Sequence, residues 1–195
     1  MHKTDFTDYE AGVARLTMPV SARDHAQGPD DAPLTLVEYG DYQCPYCGEA
    51  YPVVKKLQRE FGDNLLFAFR NFPLSELHPQ AEEAAETAEF AASQGKFWEM
   101  HDLLYENQRS FERVFFLQLA ERLGLSAAGL QIAVDRKTFR SRVRADFTGG
   151  IRSGVNGTPT FFINGYRHNG PLQFSSLSSA IARTLGQRAS SQAGS

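Results

Sequence analysis

The chain has 195 residues, 42% of them hydrophobic, with a formal net charge of -3 and a sequence pI near 6.0. That length and apolar fraction suit one globular domain with room for an insertion. The slight acidity leaves no basic surplus to neutralise phosphates, which argues against nucleic acid as a main partner, and no stretch approaches the length of a membrane span.

The N-terminus opens Met1-His2-Lys3-Thr4-Asp5-Phe6 and holds no apolar run of the kind a secretory signal needs, so the chain reads as cytoplasmic. Up to about Ala32 the sequence is polar and weakly patterned, with a short strand expected near 14–18 and a turn-rich entry over 28–33. The apolar run 34–39, bounded by Pro33 and Gly40, reads as a buried strand. A helix should start at Cys44, with Pro45 at its first position and apolar residues at Ala50, Val53, Val54, Leu57 and Phe61. Pro52 falls inside that pattern and should kink it. Gly62 ends the helix, and 65–69 is the next strand, completing a βαβ unit.

From His78 to about Gly150 the pattern is helical throughout. Ala81, Ala84, Ala85, Ala88 and Ala92 form one face, opposite Glu82, Glu86 and Glu89, and Gly95 stops that helix. Phe97, Met100, His101 and Leu104 mark a second helix; Phe115, Phe116, Leu119, Ala120 and Leu123 mark a third, closed by Gly124, and one or two more follow to Phe147. Strand patterning then returns: 160–163 and 166–168 flank Asn164-Gly165, the preferred pair for a tight hairpin. A last helix covers roughly 174–185, and the Ser/Gly/Ala-rich tail beyond it reads as disordered.

The 2 cysteines of the chain stand in one C-x-x-C, Cys44-Pro45-Tyr46-Cys47, so the sulfur chemistry is concentrated at one spot. Cys44 follows a strand and caps a helix, where orphan N–H groups and the positive end of the dipole favour a thiolate; it faces solvent, while Cys47, one turn on, is shielded. A zinc half-site is the alternative, but zinc needs further ligands and the five His are scattered. The chemistry therefore calls for no cofactor and no metal. Glu38 lies on the strand leading to Cys44, and period-two alternation puts it with Leu36 on the face that meets the helix. A carboxyl buried there would have a raised pKa and could pass a proton to or from Cys47; a solvent-facing strand residue is the alternative. Pro159, entering a strand after Gly157-Thr158, is a candidate cis-proline that would leave Thr158 backbone groups free for an extended substrate, with an ordinary trans turn proline as the alternative.

The segment Glu38-Tyr39-Gly40-Asp41-Tyr42-Gln43-Cys44-Pro45-Tyr46-Cys47, the stretch Gly95-Lys96-Phe97-Trp98-Glu99-Met100-His101, and Val155-Asn156-Gly157-Thr158-Pro159-Thr160-Phe161-Phe162-Ile163-Asn164-Gly165 together resemble the DsbA-like branch of thioredoxin-fold oxidoreductases, over about 29–185. The resemblance implies an α/β thioredoxin fold with an inserted helical subdomain. The expected division is an N-terminal extension at 1–28, a thioredoxin-like domain at 29–77 and 148–187, the insertion at 78–147 and a tail at 188–195. It further implies Cys44 as nucleophile, Cys47 as resolving thiol and Pro159 as the cis-proline. Taken with the reading of the residues above, the catalytic candidates are Cys44, Cys47 and Glu38 and the substrate-binding candidates Pro45, Tyr46, Thr158 and Pro159. The expected function is disulfide exchange with protein thiols and an unidentified redox partner, with neither nucleic acid nor membrane involved and the oligomeric state open. The Pro-Tyr dipeptide is also that of glutaredoxins, so a glutathione-linked reductase is one alternative, and a peptide-binding, redox-sensing holdase is another. His78 is a candidate cap of the first inserted helix, His101 a structural histidine, and the basic stretch from Arg136 to Arg152 a solvated helix face.

Overall fold

The computed structural model describes the backbone of residues 14–193 and the side chains of residues 14–187. Strand β1 spans His25–Gln27 and β2 spans Leu34–Gly40, and helix α1 (Pro45–Phe61) leads to β3 (Leu65–Asn71). β2 and β3 run parallel, with Leu34 opposite Leu65 and Gly40 opposite Asn71, and both are almost wholly buried. That burial is why they read as continuous apolar runs rather than alternating ones. Five helices follow: α2 (Ala81–Ala92), α3 (Phe97–Glu106), α4 (Arg113–Arg122), α5 (Ala127–Asp135) and α6 (Arg140–Arg152). Gly95 and Gly124, at φ 74° and 71°, carry the chain past α2 and α4 in the left-handed conformation that glycine adopts freely. β4 (Thr160–Ile163) and β5 (Tyr166–Arg167) then form the hairpin, with both turn residues, Asn164 and Gly165, at positive φ. This is the geometry that the Asn-Gly pair favours. Helix α7 (Phe174–Ala193) ends the described chain, and the strand order is β1-β3-β2-β4-β5, with only the β2–β3 pair parallel.

Alternation along the strands divides the core. Leu34, Leu36, Phe67, Phe69 and Phe161 join Ala50, Val54 and Leu57 of α1, Leu177 and Ile181 of α7, and the buried faces of α2 to α5 in one large cluster. Val37, Tyr39, Ala68 and Phe162 on the other face meet Phe72 and Val155, with Phe147 of α6 and Leu16 and Val20 of the N-terminal segment packed against them. Because the inserted helices share the first cluster with α1, they pack directly behind the helix that begins at Cys44. Among the described residues no helix is long and apolar enough to cross a membrane.

Several expectations need correction. No strand forms at 14–18; the segment makes an isolated bridge between Arg15 and Tyr166, and Pro19 follows. The N-terminal strand is instead β1, three residues too short and polar for periodicity to reveal. α7 continues to Ala193 through the stretch read as a disordered tail, because Ala, Gln and Arg there are adequate helix formers and no proline interrupts them. Glu86 and Glu89 are buried, each 4% exposed, since other elements cover α2 on both sides. Of the proposed N-terminal extension, residues 1–13 lie outside the described residues, as do 194 and 195 of the tail.

Candidate active site

β2 ends at Gly40, and the chain turns through Asp41, Tyr42 and Gln43 into Cys44, the N-cap of α1. Pro45 stands in the first turn, where its missing N–H leaves nothing unpaired. Neither cysteine is in a disulfide, and Cys44 is 3% exposed while Cys47 is fully buried. Cys44 is thus less open than its N-cap position suggests, because loops from two other parts of the chain close over it. Pro45 and Tyr46 between the sulfurs face outward, with Tyr46 65% exposed.

The first of those loops carries the Thr158–Pro159 peptide bond, which is cis. It places the Thr158 carbonyl 3.4 Å from Cys44 Sγ, which donates to it as a thiol. Thr158 Oγ1 is buried without another partner among the described residues, so its hydroxyl is available to a Cys44 thiolate. The second loop follows α3. Gln108 Nε2 donates to the carbonyls of Tyr42 (2.8 Å) and Cys44 (2.9 Å), holding the turn from the side of the insertion. A side chain at Gly48 would collide with Gln108 Oε1, so that glycine keeps the path of the clamp clear.

The two thiols titrate in opposite directions. Hydrogen bonding from Cys47 is the main cause that brings Cys44 down to about 5; burial opposes it, and Thr158 and the N–H groups of Cys47 and Tyr46 assist. Cys47 lies well above the ordinary thiol range, first because it is buried, then because it donates to Cys44 and lies near the charges of Glu38 and Cys44. The Asp41 N–H, 3.4 Å from Cys47 Sγ, offsets this in part. Glu38 is 2% exposed, flanked in register by Phe69 and Phe161, and its Oε1 has no hydrogen-bond partner among the described residues. Burial, and then the Cys44 charge, push its carboxyl up to about 8.

The structure therefore brings together Cys44, Cys47, Glu38, Thr158 and Pro159, and leaves Pro45 and Tyr46 on the rim. Sequence reasoning missed the groups that hold the turn. Asp41 is buried; its Oδ1 accepts from Gln43 N, and its Oδ2 accepts from Leu74 N and pairs with His78 Nδ1 at 2.8 Å. His78 thus bonds the active-site turn rather than capping α2, and Gln80 N instead donates to Gln43 Oε1. Tyr42 Oη shares a hydrogen bond of 3.0 Å with Nδ1 of His101, which burial keeps neutral. Asp41 stood in the quoted motif without a role, and Gln108 gave no signal, being a polar residue in an irregular stretch.

A family model described as Thioredoxin matches residues 21–183. The Na(+)/H(+) antiporter NhaA 1 of Salinispora arenicola is 44% identical over 171 residues, which are 87% of this chain and 26% of that protein. The Na(+)/H(+) antiporter NhaA 1 of a Mycobacterium strain (KMS) is 42% identical over 169 residues, 85% of this chain and 28% of that one. The chain thus spans about a quarter of the length of the curated relatives it matches. Among solved structures, oxidised BdbD from Bacillus subtilis superposes with a TM-score of 0.79 at 26% identity, over 89% of this chain and 98% of that one. A thioredoxin-like oxidoreductase from Silicibacter pomeroyi gives 0.71, also at 26% identity, over 84% and 92%. Wolbachia pipientis alpha-DsbA1 shares the fold at a TM-score of 0.75 and 20% identity, over 88% and 95%.

Proposed function

This chain belongs to the thioredoxin family, and we propose on that basis that it is a thiol–disulfide oxidoreductase that exchanges disulfides with protein thiols through Cys44 and Cys47. One observation carries the reading: two adjacent thiols are driven apart in acidity, one toward a thiolate at about 5 and the other toward a buried thiol beside a carboxyl at about 8. At neutral pH the Cys44 thiolate attacks a substrate disulfide, forming a mixed disulfide and releasing one substrate sulfur as a thiolate that takes a proton from water. Glu38, in its ionised form, takes the Cys47 proton. The Cys47 thiolate then attacks Cys44 Sγ, closing the Cys44–Cys47 disulfide and expelling the second substrate sulfur. The reverse sequence oxidises a dithiol substrate. The Thr158 backbone beside Cys44 supports binding of an extended substrate strand, with Pro45, Tyr46 and Pro159 around it. A stabilised Cys44 thiolate favours the reduced enzyme, which makes its disulfide the more oxidising.

A glutathione-linked reaction is the second reading, supported by the Pro45-Tyr46 pair between the sulfurs and by the exposure of Tyr46. Ion antiport is not proposed: the match to the antiporters covers 26% of the first of them, and the family shared over residues 21–183 is thioredoxin. Insulin reduction separates the readings. Turnover driven by dithiothreitol and abolished by Cys44→Ser is expected; dependence on glutathione would select the second reading. Absence of turnover with either reductant would leave a peptide-binding protein and overturn both.

A further inference from the structure

The mechanism uses a buried carboxyl, that of Glu38, whose Oε1 has no hydrogen-bond partner among the described residues. Its neighbours across the sheet are both phenylalanines, Phe69 and Phe161. Buried polar groups are nearly always paired with protein or with an ordered water. Glu38 Oε1 is one such unpaired atom, and the hydroxyl of Tyr105 is another.

The two lie on the same side of β2. Glu38 and Gly40 share a face by strand alternation. A β-carbon placed on Gly40 would stand 2.8 Å from Tyr105 Oη, so the hydroxyl sits directly over that glycine. Gly40 adjoins Asp41, whose N–H touches Cys47 Sγ. The Tyr105 hydroxyl is therefore set over the short stretch of strand between the carboxyl and the resolving sulfur. Its ring is held there at 6% exposure by Tyr42, Tyr51 and Phe69, at centroid distances of 5.0, 5.4 and 6.2 Å. Tyr42 is not left unpaired in the same way, because its hydroxyl is hydrogen-bonded to His101.

We propose that Tyr105, supplied by the inserted helix α3, is a positioning residue for the proton transfer between Cys47 and Glu38, joined to the carboxyl through an ordered water. The proposal rests on the oxidoreductase reading above. Burial and the neighbouring Cys47 and Glu38 charges hold the phenol well above its usual range, so it acts as a donor and stays protonated. A donor to the carboxylate stabilises its charged form, which is the form that accepts the Cys47 proton.

The test uses the full chain with a glutathione mixed disulfide preformed on Cys44, and follows its resolution by Cys47 across pH. Tyr105→Phe keeps the ring and removes the hydroxyl. It should slow resolution about fivefold at pH 7, the worth of one hydrogen bond, and move the pH midpoint upward, while first attack by Cys44 keeps its rate. In a Glu38→Gln background the same change should add nothing. An unshifted pH profile in Tyr105→Phe, with Glu38→Gln slow, overturns the role of Tyr105 and leaves the oxidoreductase reading standing. Failure of the unsubstituted protein to resolve the mixed disulfide overturns that reading itself. Should Tyr105→Phe fold poorly, the infrared carboxyl band of Glu38 in the unsubstituted protein replaces it. A band that titrates and shifts on deuteration as a water-linked acid supports the proposal, and the band of a dry, isolated acid overturns it.

Discussion

Glu38 places function and stability in opposition. A carboxyl held at about 8 in the folded chain, from an ordinary value of 4.5, binds its proton more tightly folded than unfolded. The unfolded chain therefore sheds that proton first, and stability falls as pH rises from about 4.5 to about 8. Below the lower value both states are protonated and the penalty disappears. Glu38→Gln removes the slope, so the variant should be more stable than the parent at pH 7, by about 1–2 kcal/mol after allowing for the amide's own unmet hydrogen bonds. The gap should close toward pH 4. Urea unfolding of the oxidised form, in which neither thiol titrates, measures this; the burial that is the first cause of the shift persists there. Equal stability at both pH values would mean that the carboxyl is not held protonated. The sequence shows why this residue was readable: a charge in a run of apolar strand residues stands out, and alternation fixes its face. Tyr105 could not be found the same way, because a tyrosine on an apolar helix face is ordinary core.

Helix α1, strand β2 and the hairpin were legible because each carries a local signal: Pro45 at the first helical position, apolar runs bounded by Pro33 and Gly40, and Asn164-Gly165 at the turn. The contacts between elements carry no such signal. Gln108 reaches the active-site turn across 66 residues of chain, and Asp41 meets His78 across 37. The inserted helices are thus more than a cover: they fasten the turn that presents Cys44 at both of its ends. Gln108→Ala leaves the Tyr42 and Cys44 carbonyls without that donor and should cost about 1–2 kcal/mol in unfolding experiments. Gly48→Ala, whose new methyl group would displace Gln108 Oε1, should reproduce the loss, and the two changes together should cost no more than one alone. Additive losses would show that Gly48 serves some other contact.

At the scale of the whole molecule the charges are the part least visible in the sequence, since partners lie far apart in the chain and burial inverts their usual meaning. Arg70, on β3, is 4% exposed. It donates to Asp24 at 2.6 Å, to the carbonyls of Met18 and Pro19, and to Tyr39 Oη of the neighbouring strand. One guanidinium thereby ties the N-terminal segment to the two central strands. At the next residue of β3, Asn71 and, from β1, His25 both bond Glu89 of α2, and Asp146 of α6 accepts from Asn71 N while pairing with Arg142, so the insertion is held to the sheet by polar as well as apolar contacts. Burial, the largest single influence, works to raise the Asp24 carboxyl, and the hydrogen bond and charge of Arg70 together with the hydrogen bonds from Ser21 outweigh it, leaving Asp24 below its ordinary value of 3.8. A depressed carboxylate stabilises the fold at pH values above its unfolded pKa, and that contribution is lost as pH falls through the folded one. Arg70→Met removes the counter-charge and strands a buried carboxylate, which should cost about 3–5 kcal/mol at pH 7. The deficit should shrink near pH 4, where Asp24 in the variant takes up a proton and ceases to be a buried charge. Adding Asp24→Asn should recover part of the loss at pH 7, because it removes the stranded charge without restoring the donors. Thermal unfolding of the three variants at both pH values decides it: a deficit that is independent of pH, or a double variant no better than Arg70→Met, would mean that Arg70 acts through packing of its stem and not through its charge.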